Sequence, residues 1–84
     1  MSDRFAEAQE QVKSLTSRPS NEQLLELYAL FKQGSVGDVS GSRPGMMDFK
    51  GRAKYDAWAK VQGMEQAAAQ EAYVALVDKL IQAN

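Results

Sequence analysis

Two pairs of residues, each four positions apart, carry most of the chemistry that this sequence offers. Tyr28 and Lys32 form the first pair, and Lys50 and Lys54 form the second. Residues at i and i+4 project from the same face of a helix, so each pair acts from one surface. Phe31 adds an aromatic ring beside Lys32. Lysine binds phosphate as a compact point charge and an aromatic ring can stack on a nucleobase. The combination therefore suits a ligand that carries phosphates and a base.

The same residues also have a purely structural interpretation, which their spacing alone does not exclude. Lys32 lies near the predicted end of a helix, where a cation favourably opposes the helix dipole. The second lysine pair is equally consistent with a solvated helix face. Three aromatic residues are equally consistent with core side chains that each expose one edge of the ring to solvent: Tyr28, Phe31 and Tyr73.

The residue types that most often carry catalysis are missing from the chain. It contains no cysteine and no histidine, and so lacks the thiolate nucleophile, the commonest general base and the usual zinc ligands. Glu22 and Glu26 share a helix face, but carboxylates early in a helix usually complement its dipole. We therefore expect no catalytic residue, no metal site and no cofactor.

Length, charge and hydropathy narrow the remaining possibilities. A chain of 84 residues predicts one domain over residues 1–84. Such a domain buries only roughly 60% of its unfolded surface, so a bulky ligand must lie in a surface groove. The net charge of −1 argues against nucleic-acid binding. With no secretory signal at the start of the chain and no apolar run of about 18 residues, we expect no stable membrane insertion and a cytoplasmic location.

Apolar residues recur at helical spacing along almost the whole chain and predict an all-α fold. Ser20 is a candidate N-cap with Gln23 three residues later, which is the pattern of a capping box. Gly34 and Gly37 are expected to mark a frayed helix end, and Gly63 another end. The predicted segments are helix one at about residues 3–15, helix two at about 20–36, a loop at 37–50, helix three at about 51–61 and helix four at about 65–82.

The loop at residues 37–50 is long for a compact domain, and loops of this length are often functional. Its Pro44-Gly45 sequence suits the two central positions of a type II turn. Met46 and Met47 are adaptable apolar side chains that we expect to lie beside the ligand groove.

Two stretches resemble a known family, the acyl-CoA-binding proteins, also called the diazepam-binding inhibitor family. Residues 28–33, YALFKQ, resemble its second-helix signature, and residues 43–58, RPGMMDFKGRAKYDAW, resemble its central loop and third helix. The similarity extends from Phe5 to the Ala72-Tyr73 pair. The resemblance implies a four-helix bundle with up-down-down-up topology and a long link between helices two and three.

The resemblance also implies a ligand and a site. The family binds medium- to long-chain acyl-CoA esters without chemical change, as an intracellular carrier and pool former in lipid metabolism, and we expect a monomer. The positions matching Tyr28, Lys32 and Lys54 hold the 3′-phosphate of the nucleotide. Other contacts to the nucleotide and pantetheine come from positions matching Lys13, Phe31, Lys50 and Tyr73.

Three departures from the family pattern concern the site and its frame. Phe31 stands where many members have tyrosine, so a hydroxyl contact is lost while the ring remains. Tyr55 replaces a frequent tryptophan, which leaves Trp58 as the single indole. Gly34-Ser35 replaces a usual Ala-Thr pair, which we expect to loosen the end of helix two.

Two other function classes remain in competition. An acyl carrier protein is also small and four-helical, but it needs a serine in an Asp-Ser-Leu context, and this sequence has none. A module that only binds other proteins has no sequence feature for or against it.

Overall fold

The computed structural model describes residues 3–83, and these residues form four α-helices, one short 3₁₀ helix and no strand. They make a four-helix bundle with up-down-down-up topology, as the resemblance implied. Helix α2 packs against both α3 and α4, and α1 packs against α4. The elements are α1 at Asp3–Gln11, the 3₁₀ helix at Val12–Ser14, α2 at Asn21–Ser35, α3 at Phe49–Lys60 and α4 at Gln66–Ala83.

The first helix ends earlier than predicted as an α-helix and finishes as a 3₁₀ turn. The hydroxyl of Ser14 donates a hydrogen bond to the carbonyl of Gln11 at 2.8 Å. Leu15 then adopts an extended backbone, with ψ of 133°. Short 3₁₀ turns are frequent at helix ends. The apolar periodicity over residues 3–15 did not distinguish this tighter turn from a continuous α-helix.

The start of α2 confirms the predicted capping box. The backbone N–H of Gln23 donates to the hydroxyl of Ser20 at 3.1 Å. In return, the backbone N–H of Ser20 donates to the side-chain oxygen of Gln23 at 3.0 Å. These bonds satisfy two backbone donors around the helix N-terminus.

Helix α2 continues through Gly34 and ends at Ser35, so Gly34 does not mark its end. Gly34 is buried inside the helix, where an added Cβ would lie 3.0 Å from Cγ of Gln70 and 3.1 Å from Cζ of Phe5. The missing side chain therefore allows α2 and α4 to approach closely. Gly37 follows the helix with φ of 99°, a conformation that suits glycine, and its N–H donates to the carbonyl of Lys32 at 3.3 Å.

The core is built around aromatic rings between α1, α2 and α4. Phe5 is fully buried and meets Tyr73 edge to face, with ring centroids 5.2 Å apart and planes at 89°. Such a pair contributes about 0.5–1.5 kcal/mol beyond area burial. The other large side chains of this cluster are aliphatic and come from α2 and α4: Leu27, Leu30, Val77 and Leu80.

Helix α3 begins at Phe49, two residues before its predicted start. Asp48 acts as the N-cap, because its carboxylate accepts a hydrogen bond from the backbone N–H of Gly51 at 3.0 Å. The expected type II turn at Pro44-Gly45 is wrong, since Gly45 does not have the positive φ that this turn requires. Instead, the N–H of Asp48 donates to the carbonyl of Gly45 at 3.0 Å. Met46 and Met47 are therefore the central residues of the turn.

The link between α2 and α3, residues 36–48, is held against α3 by side chains. The indole N–H of Trp58 donates to the carbonyl of Gly37 at 2.8 Å. The hydroxyl of Tyr55 donates to the carbonyl of Gly41 at 3.2 Å, so the residue that replaces tryptophan has a structural contact. Further along, the Arg43 guanidinium binds the Asp56 carboxylate through two hydrogen bonds of 2.9 and 2.7 Å. That pairing holds the pKa of Asp56 below its usual value.

A buried amide joins the start of the link to the turn between α3 and α4. The side-chain nitrogen of Gln33 donates to the carboxylate of Asp38 at 2.8 Å and to the carbonyl of Met64 at 2.7 Å. Asp38 also accepts from the backbone N–H of Gly63 at 2.8 Å. The Gly63 N–H, and then the Gln33 amide, lower the pKa of Asp38. The side-chain oxygen of Gln33 is buried and has no hydrogen-bond partner within residues 3–83.

Candidate functional site

Helices α2 and α3 bring the predicted phosphate-binding residues to one region of the surface. The Nζ atom of Lys54, on α3, lies 5.5 Å from the ring centroid of Tyr28, on α2. One turn along α2, the Nζ atom of Lys32 lies 4.9 Å from the ring of Trp58. These are cation–π distances, which orient an ammonium group without neutralising its charge. Both lysines remain able to meet an anion.

Among the residues that the structure describes, the lysines of this region have no carboxylate partner. Within residues 3–83 the ion pairs join Arg4 to Asp78, Lys13 to Glu10 and Arg43 to Asp56, and none involves Lys32, Lys50 or Lys54. A surface on which several cations lack counter-ions attracts anions, most strongly at low salt. The arrangement therefore favours a multiply charged anionic ligand.

Six of the seven predicted residues line two adjoining grooves. The first groove has a volume of about 330 Å³ and is lined by four of them, Lys13, Tyr28, Phe31 and Tyr73. The second has a volume of about 420 Å³ and is lined by Tyr28, Lys50 and Lys54. Tyr28 and Leu24 belong to both grooves, so the two form one continuous surface. Lys32 is the exception, since it lies against Trp58 and lines neither groove.

The aromatic residues of the first groove also belong to the core. Phe31 is half-buried, with its ring 6.2 Å from Phe5 and 6.4 Å from Tyr73. Tyr73 is 5% exposed, and burial raises the pKa of its phenol. The structural interpretation of these two residues is thus correct in part, because each packs in the core and turns one edge to the groove. Tyr28, half-buried between both grooves, is the more accessible phenol.

Lys13 stands at the outer edge of the first groove. Its Nζ atom lies 3.0 Å from the carboxylate of Glu10, and both side chains are 73% exposed. Exposed pairs of this kind contribute little, typically less than about 1 kcal/mol. The pairing therefore does not prevent Lys13 from turning toward an anion in the groove.

Sequence reasoning missed part of the second groove. Arg18, Asn21, Leu25 and Phe49 also line it. A signal for two of them was present, since Asn21 and Leu25 precede Tyr28 at helical spacing and share its face of α2. Arg18 precedes α2, and Phe49 is the first residue of α3. The spacing of side chains along α2 therefore does not relate either residue to Tyr28.

A third groove continues from the second between α2 and α3. Its volume is about 560 Å³, and most of its surface comes from apolar residues such as Leu25, Ala29 and Ala53. Its charged lining residues are Glu22, Glu26, Asp56 and Lys60. Leu25 and Ala53 also line the second groove, so the cationic region opens directly onto an apolar channel. Within the described part of the chain no three His, Cys, Asp or Glu residues gather as a metal site. The chemistry that this surface offers is binding of a ligand with an anionic and an apolar part.

The chain is similar to known proteins along almost its whole length. A family model described as "Acyl CoA binding protein" matches residues 2–77. The chain is 51% identical over 81 residues to an acyl-CoA-binding protein homolog of Drosophila melanogaster, covering 96% of this chain and 94% of that one. It is 54% identical over 77 residues to acyl-CoA-binding protein homolog 1 of Caenorhabditis elegans, covering 92% and 90%.

A solved structure shows the same fold. The crystal structure of acyl-CoA-binding protein 2 from Oryza sativa superimposes with a TM-score of 0.93 at 40% identity, covering 96% of this chain and 88% of that one. A small helical bundle whose surface lysines adjoin apolar grooves is suited to bind an amphiphilic anion. This chain belongs to the acyl-CoA-binding protein family.

Proposed function

We propose that this protein binds medium- to long-chain acyl-CoA esters reversibly and without chemical change, and serves as their carrier and pool former. The observation that carries the proposal is the junction at Tyr28 and Lys54, where unpaired cations adjoin an apolar channel. An acyl-CoA ester has this same division, with phosphates at one end and a hydrocarbon chain at the other. The protein acts as one domain over residues 1–84, as a monomer in the cytoplasm.

Each predicted residue has a role in the proposed complex. Tyr28, Lys32 and Lys54 hold the 3′-phosphate, because two ammonium groups and a phenol can donate to one dianion. Four residues surround the nucleotide and pantetheine: Lys13, Phe31, Lys50 and Tyr73. Phe31 offers a ring for contact but no hydroxyl donor.

The acyl chain occupies the apolar part of the grooves. Burying a methylene contributes about 0.8 kcal/mol, so about fourteen methylenes would offer on the order of 11 kcal/mol before ordering costs. The grooves are open to solvent along one side, so the chain of the ligand is only partly buried and the realised gain is smaller. Binding is therefore expected to strengthen with chain length.

Neither catalysis nor a cofactor is part of the proposal. The chain has no histidine or cysteine to act as base or nucleophile on the thioester. The ligand leaves as it arrived, and the acyl-CoA itself is the only small molecule required. No helix within residues 3–83 is long and apolar enough to cross a membrane.

Calorimetric titration with palmitoyl-CoA and acetyl-CoA tests the proposal. Palmitoyl-CoA should bind with one ligand per chain and far more tightly than acetyl-CoA, because only the long chain fills the apolar grooves. Palmitoyl-CoA incubated with the protein should be recovered intact by mass spectrometry. Equal affinity for both esters, or hydrolysis of the thioester, would refute the proposed function.

A further inference from the structure

The third groove begins at Leu25 and Ala53, the two residues that it shares with the second groove. Helices α2 and α3 run in the same direction in the up-down-down-up topology, and both line this groove. Its lining extends from Glu22 to Leu30 on α2 and from Ala53 to Val61 on α3. Each stretch is about 12 Å long at the rise of an α-helix. A hydrocarbon chain that passes Leu25 and Ala53 therefore has an extended path beyond the cationic region.

The floor of this groove is apolar, and its charged residues stand at the rim. Ala29 and Leu30 are buried, with exposures of 3% and 8%. By contrast, three charged lining residues, Glu22, Glu26 and Lys60, are exposed. The floor therefore suits hydrocarbon, and a polar group at the end of that hydrocarbon reaches water only across the charged rim.

Two glutamates on the α2 side of the rim have no counter-ion. Glu22 and Glu26 lie one turn apart on the same face of α2, and neither forms an ion pair within residues 3–83. Glu22 lies in the first turn of the helix, where its charge complements the helix dipole. Glu26 lies one turn further, where that effect has faded. Stabilisation of the helix therefore does not account for both carboxylates.

The charges on the α3 side of the rim largely satisfy one another. Arg43 binds Asp56 through two hydrogen bonds. The hydrogen bond from Arg43 is the main influence that lowers the pKa of Asp56, and the charge of Lys60 is a smaller one. Lys60 therefore already faces a carboxylate of its own helix, and the uncompensated charge of the rim is the negative charge on α2.

We propose that the rim of the third groove selects among acyl-CoA esters by the charge at the far end of the acyl chain. Esters whose chain ends in a methyl group are accepted. Esters of dicarboxylic acids, whose chain ends in a second carboxylate, are disfavoured. Glu22 and Glu26 are the specificity-determining residues. The selection rests on the proposed function, because it requires the acyl chain to enter this groove.

Two physical effects act against a carboxylate at the chain end. Burying it in the apolar floor without a partner is costly in any groove of this kind. If it turns out of the groove instead, it meets the like charges of Glu22 and Glu26, and this repulsion is specific to the rim. Salt screens the second effect much more than the first, because the glutamates are exposed.

Three esters of equal chain length separate these effects by calorimetric titration. Palmitoyl-CoA ends in a methyl group, 16-hydroxyhexadecanoyl-CoA in a neutral hydroxyl, and the monothioester hexadecanedioyl-CoA in a carboxylate. The quantity compared is the ratio of dissociation constants between two esters on the same protein. A change that affects the nucleotide end of all three ligands cancels in this ratio.

The test variant is Glu22→Gln combined with Glu26→Gln, which removes both charges and keeps the size of the side chains. The matched control is Glu7→Gln combined with Glu71→Gln. Glu7 and Glu71 are also exposed, and they line none of the three grooves of the site. Both double variants change the net charge of the protein by the same amount.

The wild type should bind hexadecanedioyl-CoA at least about tenfold more weakly than palmitoyl-CoA at low salt. The test variant should narrow this ratio at least about threefold, and the control should leave it unchanged. High salt should narrow the ratio for the wild type and the control more than for the test variant. The ratio between the hydroxy ester and palmitoyl-CoA should be the same in all three proteins, because no charge is involved.

Several results would overturn the selection while palmitoyl-CoA still binds. These are equal wild-type affinity for the methyl and carboxylate esters, an unchanged ratio in the test variant, and equal narrowing in the control. Tighter binding of hexadecanedioyl-CoA that Lys60→Gln abolishes would also overturn it, because the lysine would then hold the carboxylate. Failure of the wild type to bind palmitoyl-CoA is a different outcome, which would refute the proposed function and the selection with it.

Discussion

Replacing Lys54 with methionine should weaken palmitoyl-CoA binding about tenfold or more while leaving the fold intact. Lys54 is exposed, forms no ion pair within residues 3–83, and makes a cation–π approach to Tyr28 at 5.5 Å. Losing such an exposed contact costs the fold about 0.5–1 kcal/mol. A hydrogen bond to a charged group contributes roughly 1.5–3 kcal/mol, and the lower value, about tenfold in affinity, applies to an exposed, screened lysine.

A second ligand identifies the phosphate as the partner of Lys54. Palmitoyl-dephospho-CoA lacks the 3′-phosphate and should bind the wild type at least about tenfold more weakly than palmitoyl-CoA, a step of about 1.4 kcal/mol. The Lys54→Met variant should bind this ligand almost as the wild type does, because the contact is already missing. Calorimetry on both proteins with both esters gives the coupling directly.

The control for this experiment is Lys79→Met. Lys79 is an exposed lysine of α4 that lines none of the three grooves, so its loss changes the net charge equally. It should leave both affinities within about twofold, a difference below about 0.5 kcal/mol. Equal losses on both esters for Lys54→Met would indicate a damaged groove and contradict the phosphate contact. No loss on either ester would mean that Lys54 is simply a solvated lysine.

Three further predictions concern the frame of the site. Emission from Trp58 should change when palmitoyl-CoA binds, because Lys32 leaves its position 4.9 Å from the indole for the phosphate; constant emission at saturation would contradict that movement. Gln33→Leu should lower the free energy of unfolding by roughly 1–3 kcal/mol in urea titrations, because the two hydrogen bonds donated by its amide, each worth about 0.5–1.5 kcal/mol, are lost. An unchanged midpoint and slope would show that this junction adds nothing. The free energy of unfolding should decrease as the pH drops below about 3.8, because folding lowers the pKa of Asp38 and Asp56 from that value. The stability that these two carboxylates contribute is complete above that pH and is lost as the pH falls through their folded pKa values. With Asp38→Asn, the melting temperature should depend less on pH in this acidic range. An unchanged dependence on pH would exclude Asp38 as a source of the acid-induced loss of stability.

Helix positions could be predicted from sequence wherever a local pattern carries the physics. Ser20 and Gln23 located the start of α2 because both capping bonds join residues three apart. The same logic applies to Asp48 and Gly51, but the prediction of a loop over residues 37–50 concealed that cap. The turn at Met46 and Met47 has no glycine or proline signature at its centre, so Pro44-Gly45 drew the prediction instead.

The composition of the site could be predicted, whereas its geometry could not. The i, i+4 rule placed Tyr28 with Lys32 on one helix, but the approach of Lys54 to Tyr28 depends on how α2 and α3 pack. The roles of Gly34 and Gln33 were also hidden, because each depends on a partner more than thirty positions away. A polar amide in a helix sequence is ordinarily assigned to the surface, and this one is 1% exposed.

The attachment of the link to α3 determines where ordering entropy is lost on binding. Trp58 and Tyr55 of α3 donate hydrogen bonds to carbonyls of the link backbone, and the side chain of Arg43, within the link, binds a carboxylate of α3. Fixing one residue of a free backbone would cost roughly 1–2 kcal/mol, and a loop that closed over its ligand would lose that amount many times over. Here the entropy lost on binding is that of a few lysine side-chain rotamers and of the flexible hydrocarbon chain of the ligand. Affinity therefore depends on a frame that is assembled during folding, and the link does not have to order a second time with each ligand molecule.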